Sequence, residues 1–151
     1  MSKISFIIGS DLNDAALVGQ SVHAVCRHLA LPEEVIYGVE LCVVEGVTNA
    51  IRHAYQLGGG HEVSVTLTVS GNQVEIEILD YGLPMPTDKV NALRHGSSVL
   101  EFDETDRMNL PEGGMGLQIM HLTMDHVDYL SDGGVNRLHM LKRVAPPTET
   151  E

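Results

Sequence analysis

Tryptophan is missing from this sequence, and phenylalanine and tyrosine bring the aromatic share to only 4%. A core must therefore be packed from Val, Leu, Ile, Ala and Met. Cysteine is scarce: Cys26 and Cys42 stand inside apolar helical patterns with no CxxC spacing. That argues against a disulfide framework or a thiolate metal site and for buried free thiols. Basic residues are few, 9 Lys and Arg against 21 Asp and Glu, a formal net charge of −12. Such a surface repels phosphate backbones and anionic lipid alike, so no direct nucleic-acid or membrane contact is expected; protein partners suit it better. No apolar run approaches the roughly 20 residues of a membrane span. The opening apolar stretch is broken at once by Ser10 and Asp11, too early for a signal peptide. A cytoplasmic protein is expected.

What is present is a patterned chain. Its 151 residues, 43% apolar, fit one domain over 1–144 with a frayed tail over 145–151. Ile4, Phe6 and Ile8 alternate as in a short strand. Ser10, Asp11 and Asn13 offer N-caps for a helix over 15–29, and Pro32 with Glu33 and Glu34 opens a second, whose end near Tyr55 is assigned to the glycine run 58–60. Two cleanly alternating strands follow. Val63, Val65, Leu67 and Val69 share one face, as do Val74, Ile76 and Ile78 after a turn at Gly71 and Asn72; this is an antiparallel hairpin with one wet and one covered face. Counting on by two puts Asp80 on the covered face. A short helix over 87–94, a long loop over 97–110, a helix over 116–124 and closing strands over 127–130 and 135–142 complete the reading. The fold class is α+β: a two-layer sandwich with a mixed, mostly antiparallel sheet covered on one face by helices.

Three places carry chemistry. On the second helix, Glu45, Asn49 and His53 fall at i, i+4 and i+8, one polar row on an otherwise apolar helix. Such a row is either solvated or faces a ligand. Asn49 offers a hard amide oxygen suited to Mg²⁺, and Glu45 could accept a proton. Gly46 inside the helix costs about 1 kcal/mol against alanine, which a close neighbour would explain. Asp80 is either a turn aspartate bonded to its own loop or an acceptor for an exocyclic amino group; Gly82 would let the backbone pass close to a base. Gly113, Gly114 and Gly116 ahead of a helix expose N–H groups where phosphate binds well, or else mark a flexible helix entry. The other histidines show no metal-ligand spacing.

In order along the chain, Glu-x3-Asn-x3-His, Asp-x-Gly and Gly-x-Gly resemble the Bergerat (GHKL-type) nucleotide-binding fold shared by gyrase, the MutL repair protein, heat-shock chaperone ATPases and histidine kinases. The wording of the motifs, Glu45-Gly-Val-Thr-Asn49-Ala-Ile-Arg-His53, Asp80-Tyr-Gly82-Leu-Pro84 and Gly113-Gly114-Met115-Gly116-Leu117, is similar to that of the anti-sigma-factor serine/threonine protein kinases. That resemblance implies an ATP-dependent kinase with Mg²⁺. Glu45 would be the base for a substrate serine, Asn49 the metal ligand, and Asp80 with Gly82 the adenine readers. His53, Met85, Gly113, Gly114, Met115, Gly116 and Leu117 would complete the nucleotide site. It also implies a homodimer that binds a sigma factor and phosphorylates an anti-anti-sigma (STAS) antagonist. The alternative is a nucleotide-gated binding module with little transfer. Two departures stand out. Many relatives carry a threonine after the last-strand glycine, where this chain has Val135 and Asn136 after Gly134, and the stretch 11–26 has no Lys or Arg.

Overall fold

The computed structural model describes residues 1–96 and 114–145. Strand β1 (Ser2–Gly9) runs into helix α1 (Leu12–His28). The Asp11 carboxylate caps that helix, accepting the Asn13 N–H at 2.9 Å and satisfying a backbone donor left open at the helix start. Helix α2 (Glu33–Asn49) follows Pro32 directly, with Glu33 and Glu34 in its first turn.

The helix expected to run to Tyr55 is wound in two ways. After Asn49 the chain continues as a π turn over Ala50–Ala54, with the Tyr55 N–H reaching the Ala50 carbonyl at 3.0 Å. Single π turns inside α-helices recur at functional sites. The end also differs in cause. Gln56 and Leu57 turn left-handed, with φ of 52° and 60°, and the Leu57 N–H closes on the Ile51 carbonyl at 2.9 Å. The helix thus stops ahead of the glycine run, not at it.

Strands β2 (Glu62–Ser70) and β3 (Gln73–Asp80) form the expected hairpin, turning at Gly71, whose φ is 56°. Helices α3 (Thr87–His95) and α4 (Gly114–Thr123) precede the closing hairpin of β4 (His126–Asp132) and β5 (Val135–Arg143). The strand order is β1-β2-β3-β5-β4, and every pairing among the described residues is antiparallel. The sheet is therefore not mixed. The whole of the expected loop over 97–110, Gly113 and all of the tail but Ala145 lie outside the described residues.

Alternation decides which face is covered. Val63, Val65, Leu67, Val74, Ile76, Ile78, Leu138 and Met140 are buried, and so are Val39, Val43 and Val47 of α2 in the same core. Each fully buried aliphatic side chain contributes roughly 1.5–3 kcal/mol. On the opposite face the Ser5 and Thr66 hydroxyls bond at 2.8 Å, and Arg137 sits 3.6 Å from Glu77. Gly46 explains the close approach of α2 to the sheet. A Cβ there would lie 2.5 Å from Ile78 Cδ1 and 3.1 Å from Leu138 Cδ2.

Candidate functional site

A cavity of about 260 Å³ opens between the α2–π helix and the β3–β5 part of the sheet. Asn49 and His53 line its helix wall, Asp80 its sheet wall, and Lys89 of α3 adds a cation. Ile78, Leu138, Leu117, Met85 and Tyr129 make the remainder apolar. An apolar pocket with a few convergent polar groups is the usual form of a small-molecule site.

Asp80 is buried, as its strand parity requires. Its Oδ1 accepts the Asn136 amide at 2.7 Å and the Gly82 N–H at 3.0 Å. Burial raises its carboxyl above the ordinary aspartate value, while these two hydrogen bonds to the charged form pull the other way. Asp80 thus bonds its own loop, as a turn aspartate would, and also lines the cavity.

The loop after Asp80 is fastened to the π turn. Leu83 N–H donates to the Ala54 carbonyl at 2.9 Å, and Gly82 packs so tightly on that carbonyl that no side chain fits. The close approach that Gly82 permits is therefore to the protein's own backbone. Tyr55 adds a second tie: its hydroxyl accepts the Tyr81 N–H at 2.9 Å and donates to the Glu62 carbonyl at 2.6 Å. A third comes from Tyr129, whose hydroxyl accepts the Met85 N–H at 2.8 Å.

Glu45 is not on the cavity wall. One turn before Asn49, it reaches across to α4, where a Cβ on Gly116 would lie 2.5 Å from Glu45 Oε2 and 3.6 Å from Asn49 Nδ2. The polar row and the glycine box thus meet at the start of α4, which Gly114 and Met115 open. Among the described residues no group of three or more His, Cys, Asp or Glu could hold a metal. A donor set of one amide suits Mg²⁺, which takes one or two protein oxygens and completes its shell with phosphate and water.

Three residues escaped the sequence reading. Lys89 and Tyr129 reach the cavity through α3 and β4, whose places depend on strand order. Asn136 could have been found. It shares the parity of the buried Leu138 and Met140, the same counting that located Asp80.

A family model described as histidine kinase-like ATPase domain matches residues 8–142. The chain belongs to that family. It is accordingly an ATP-binding domain. Within the family it is similar to the serine-protein kinase RsbW of Bacillus cereus strain AH820, 26% identical over 90% of this chain and 82% of the relative. It is also similar to the anti-sigma F factor of Clostridium acetobutylicum, 29% identical over 93% of this chain and 91% of the relative. Two solved structures share the fold. One holds the RsbU and RsbW domains of a Mycobacterium tuberculosis protein, with a TM-score of 0.68 at 13% identity over 97% of this chain and 34% of that one. The other is the SiaB–SiaC complex of Pseudomonas aeruginosa, with a TM-score of 0.63 at 11% identity over 91% and 88%. The histidine kinase-like ATPase fold accounts for the helix-covered antiparallel sheet and for the cavity between them.

Proposed function

We propose that this chain is an ATP-dependent protein serine kinase of a bacterial partner-switching system. It binds and inhibits a sigma factor and phosphorylates a serine of a STAS-type antagonist, working as a cytoplasmic homodimer. Residues 1–144 act as one ATP-binding domain. The observation that carries the kinase reading is the meeting of Glu45 and Asn49 at Gly116, beside the cavity that Asp80 lines. A binding module needs a nucleotide pocket; it does not need a carboxylate at the phosphate end.

In this reading Asp80 accepts the adenine amino group, with Met85 and Leu117 against the base and His53 beside it. Gly113, Gly114, Met115 and Gly116 offer backbone N–H groups to phosphate at the helix start. Asn49 holds Mg²⁺, which when bound would screen the phosphate charge. Glu45 takes the proton of the substrate serine as its Oγ forms a bond to the γ-phosphorus. The bond from that phosphorus to the β-phosphate oxygen breaks, and ADP leaves.

The test incubates the protein with Mg-ATP and a STAS-domain antagonist and follows phosphate by mass spectrometry. Phosphoserine should form, and Glu45→Gln should lower its rate by about 10²-fold or more with ATP affinity kept. Undiminished transfer in that variant refutes the base assignment.

A further inference from the structure

A row of three polar side chains crosses the sheet beside the cavity. Ser131 on β4 is the register partner of Asn136 on β5, and Asn136 is the register partner of Asp80 on β3. Ser131 Oγ donates to Asn136 Oδ1 at 2.7 Å. The other end of that amide, Nδ2, donates to Asp80 Oδ1 at 2.7 Å and to the Gly82 carbonyl at 3.0 Å. Asn136 is 1% exposed and is not on the cavity wall, so whatever it does for a ligand it does through Asp80.

An amide has a donor end and an acceptor end. Were the Asn136 amide reversed, its oxygen would face a carboxylate, two acceptors with no proton between them. The carboxylate, which can only accept, holds the amide this way round, and the Ser131 hydroxyl anchors its other end by donating to the amide oxygen. Both donors to Asp80, Asn136 and Gly82, arrive at Oδ1. Neither of these two donors occupies Oδ2, the carboxylate oxygen that remains to accept from the cavity.

We propose that Asn136, anchored by Ser131, is the positioning residue that presents Asp80 Oδ2 to the 6-amino group of adenine and so sets discrimination against 6-oxo purines. The proposal rests on the nucleotide reading given above. A 6-oxo purine would bring a second acceptor to Oδ2 and leave it without a proton, and unmade buried hydrogen bonds are what polar sites use to reject analogues.

The experiment measures dissociation constants for ATP and inosine triphosphate on the full chain, together with a thermal melt. Wild type should favour ATP. Asn136→Leu, similar in shape without the amide, should lower the ATP-to-inosine-triphosphate ratio about tenfold, and Ser131→Ala about threefold. A merely structural role would weaken both nucleotides together and leave the ratio alone. An unchanged ratio in folded Asn136→Leu overturns the proposal; if that variant does not fold, an unchanged ratio in Ser131→Ala does so. A wild-type protein indifferent to the two nucleotides would instead overturn the adenine reading beneath it.

Discussion

The Ala54 carbonyl accepts the Leu83 N–H at 2.9 Å, and a side chain on Gly82 would land inside that same carbonyl group. The obstacle is backbone, which cannot swing aside. Gly82→Ala must therefore push the loop off the π turn. Overpacking of this kind costs about 1–3 kcal/mol, and the displaced loop carries Met85 away from the cavity. We expect a lower melting temperature together with an ATP affinity reduced about tenfold. A variant that melts and binds like wild type would show that this contact does not hold the loop.

Gly116→Ala makes the opposite case. The atom in its way is Glu45 Oε2, the far end of a flexible side chain, so stability should change by less than about 1 kcal/mol. The carboxylate would be displaced, however, and phosphotransfer should fall about tenfold or more while ATP remains bound. Transfer at the wild-type rate, measured beside an unaltered melt, would separate Glu45 from the chemistry.

Much of this site can be read from the chain because strand parity is a strict count of two. Asp80 follows Val74, Ile76 and Ile78 onto the covered face, and the helix row of Glu45, Asn49 and His53 follows from a period of 3.6. The π turn cannot be read that way. Its residues, Ala50–Ala54, are as compatible with an α-helix, and nothing in their spacing marks the Leu83 bond to the Ala54 carbonyl. Tyr129 and Lys89 stayed hidden because periodicity says nothing about β5 lying between β3 and β4. Asn136 is within reach of the same count, since it shares the parity of the buried Leu138 and Met140.

Asn49 gives a metal-dependence test. Wild-type ATP affinity should rise when Mg²⁺ is added, and Asn49→Ala should lose most of that increment while its metal-free affinity changes little. If Mg²⁺ strengthens binding equally in both, Asn49 is not the ligand.

Acid should act on Asp80 in two opposed senses. Burial raises its carboxyl above the ordinary aspartate value. Its contribution to stability is therefore fully present below the unfolded-state value and is lost as pH rises through the folded value. Ligand binding runs the other way, since the ionised carboxylate is the stronger acceptor. ATP affinity should begin to fall on acidification at a higher pH than an ordinary aspartate would give. Titrating the affinity of Asp80→Asn supplies the comparison, and the same decline there would assign the effect to another group.

Cys26 and Cys42 are both buried, and desolvation pushes each thiol up to about 11. Almost no thiolate exists at neutral pH, and the thiolate is the reactive form. Neither should react with a thiol reagent such as DTNB on the native protein, and both should do so in guanidinium. Prompt labelling of either in the folded state would contradict the packing.

The polar row from Ser131 through Asn136 to Asp80 bears on assembly as well as on ligands. Most of the sheet's covered face is aliphatic, and one greasy strand can slide along another by two residues at little loss. A shift of one residue turns every side chain to the wrong face, but a shift of two keeps the pattern. It would bring Leu138 or Gly134, according to its direction, opposite Asp80 and leave the buried carboxylate without its amide donor, a loss that hydrocarbon packing cannot repair. The residues that hold Asp80 thus double as a key that only one alignment of the last hairpin can turn.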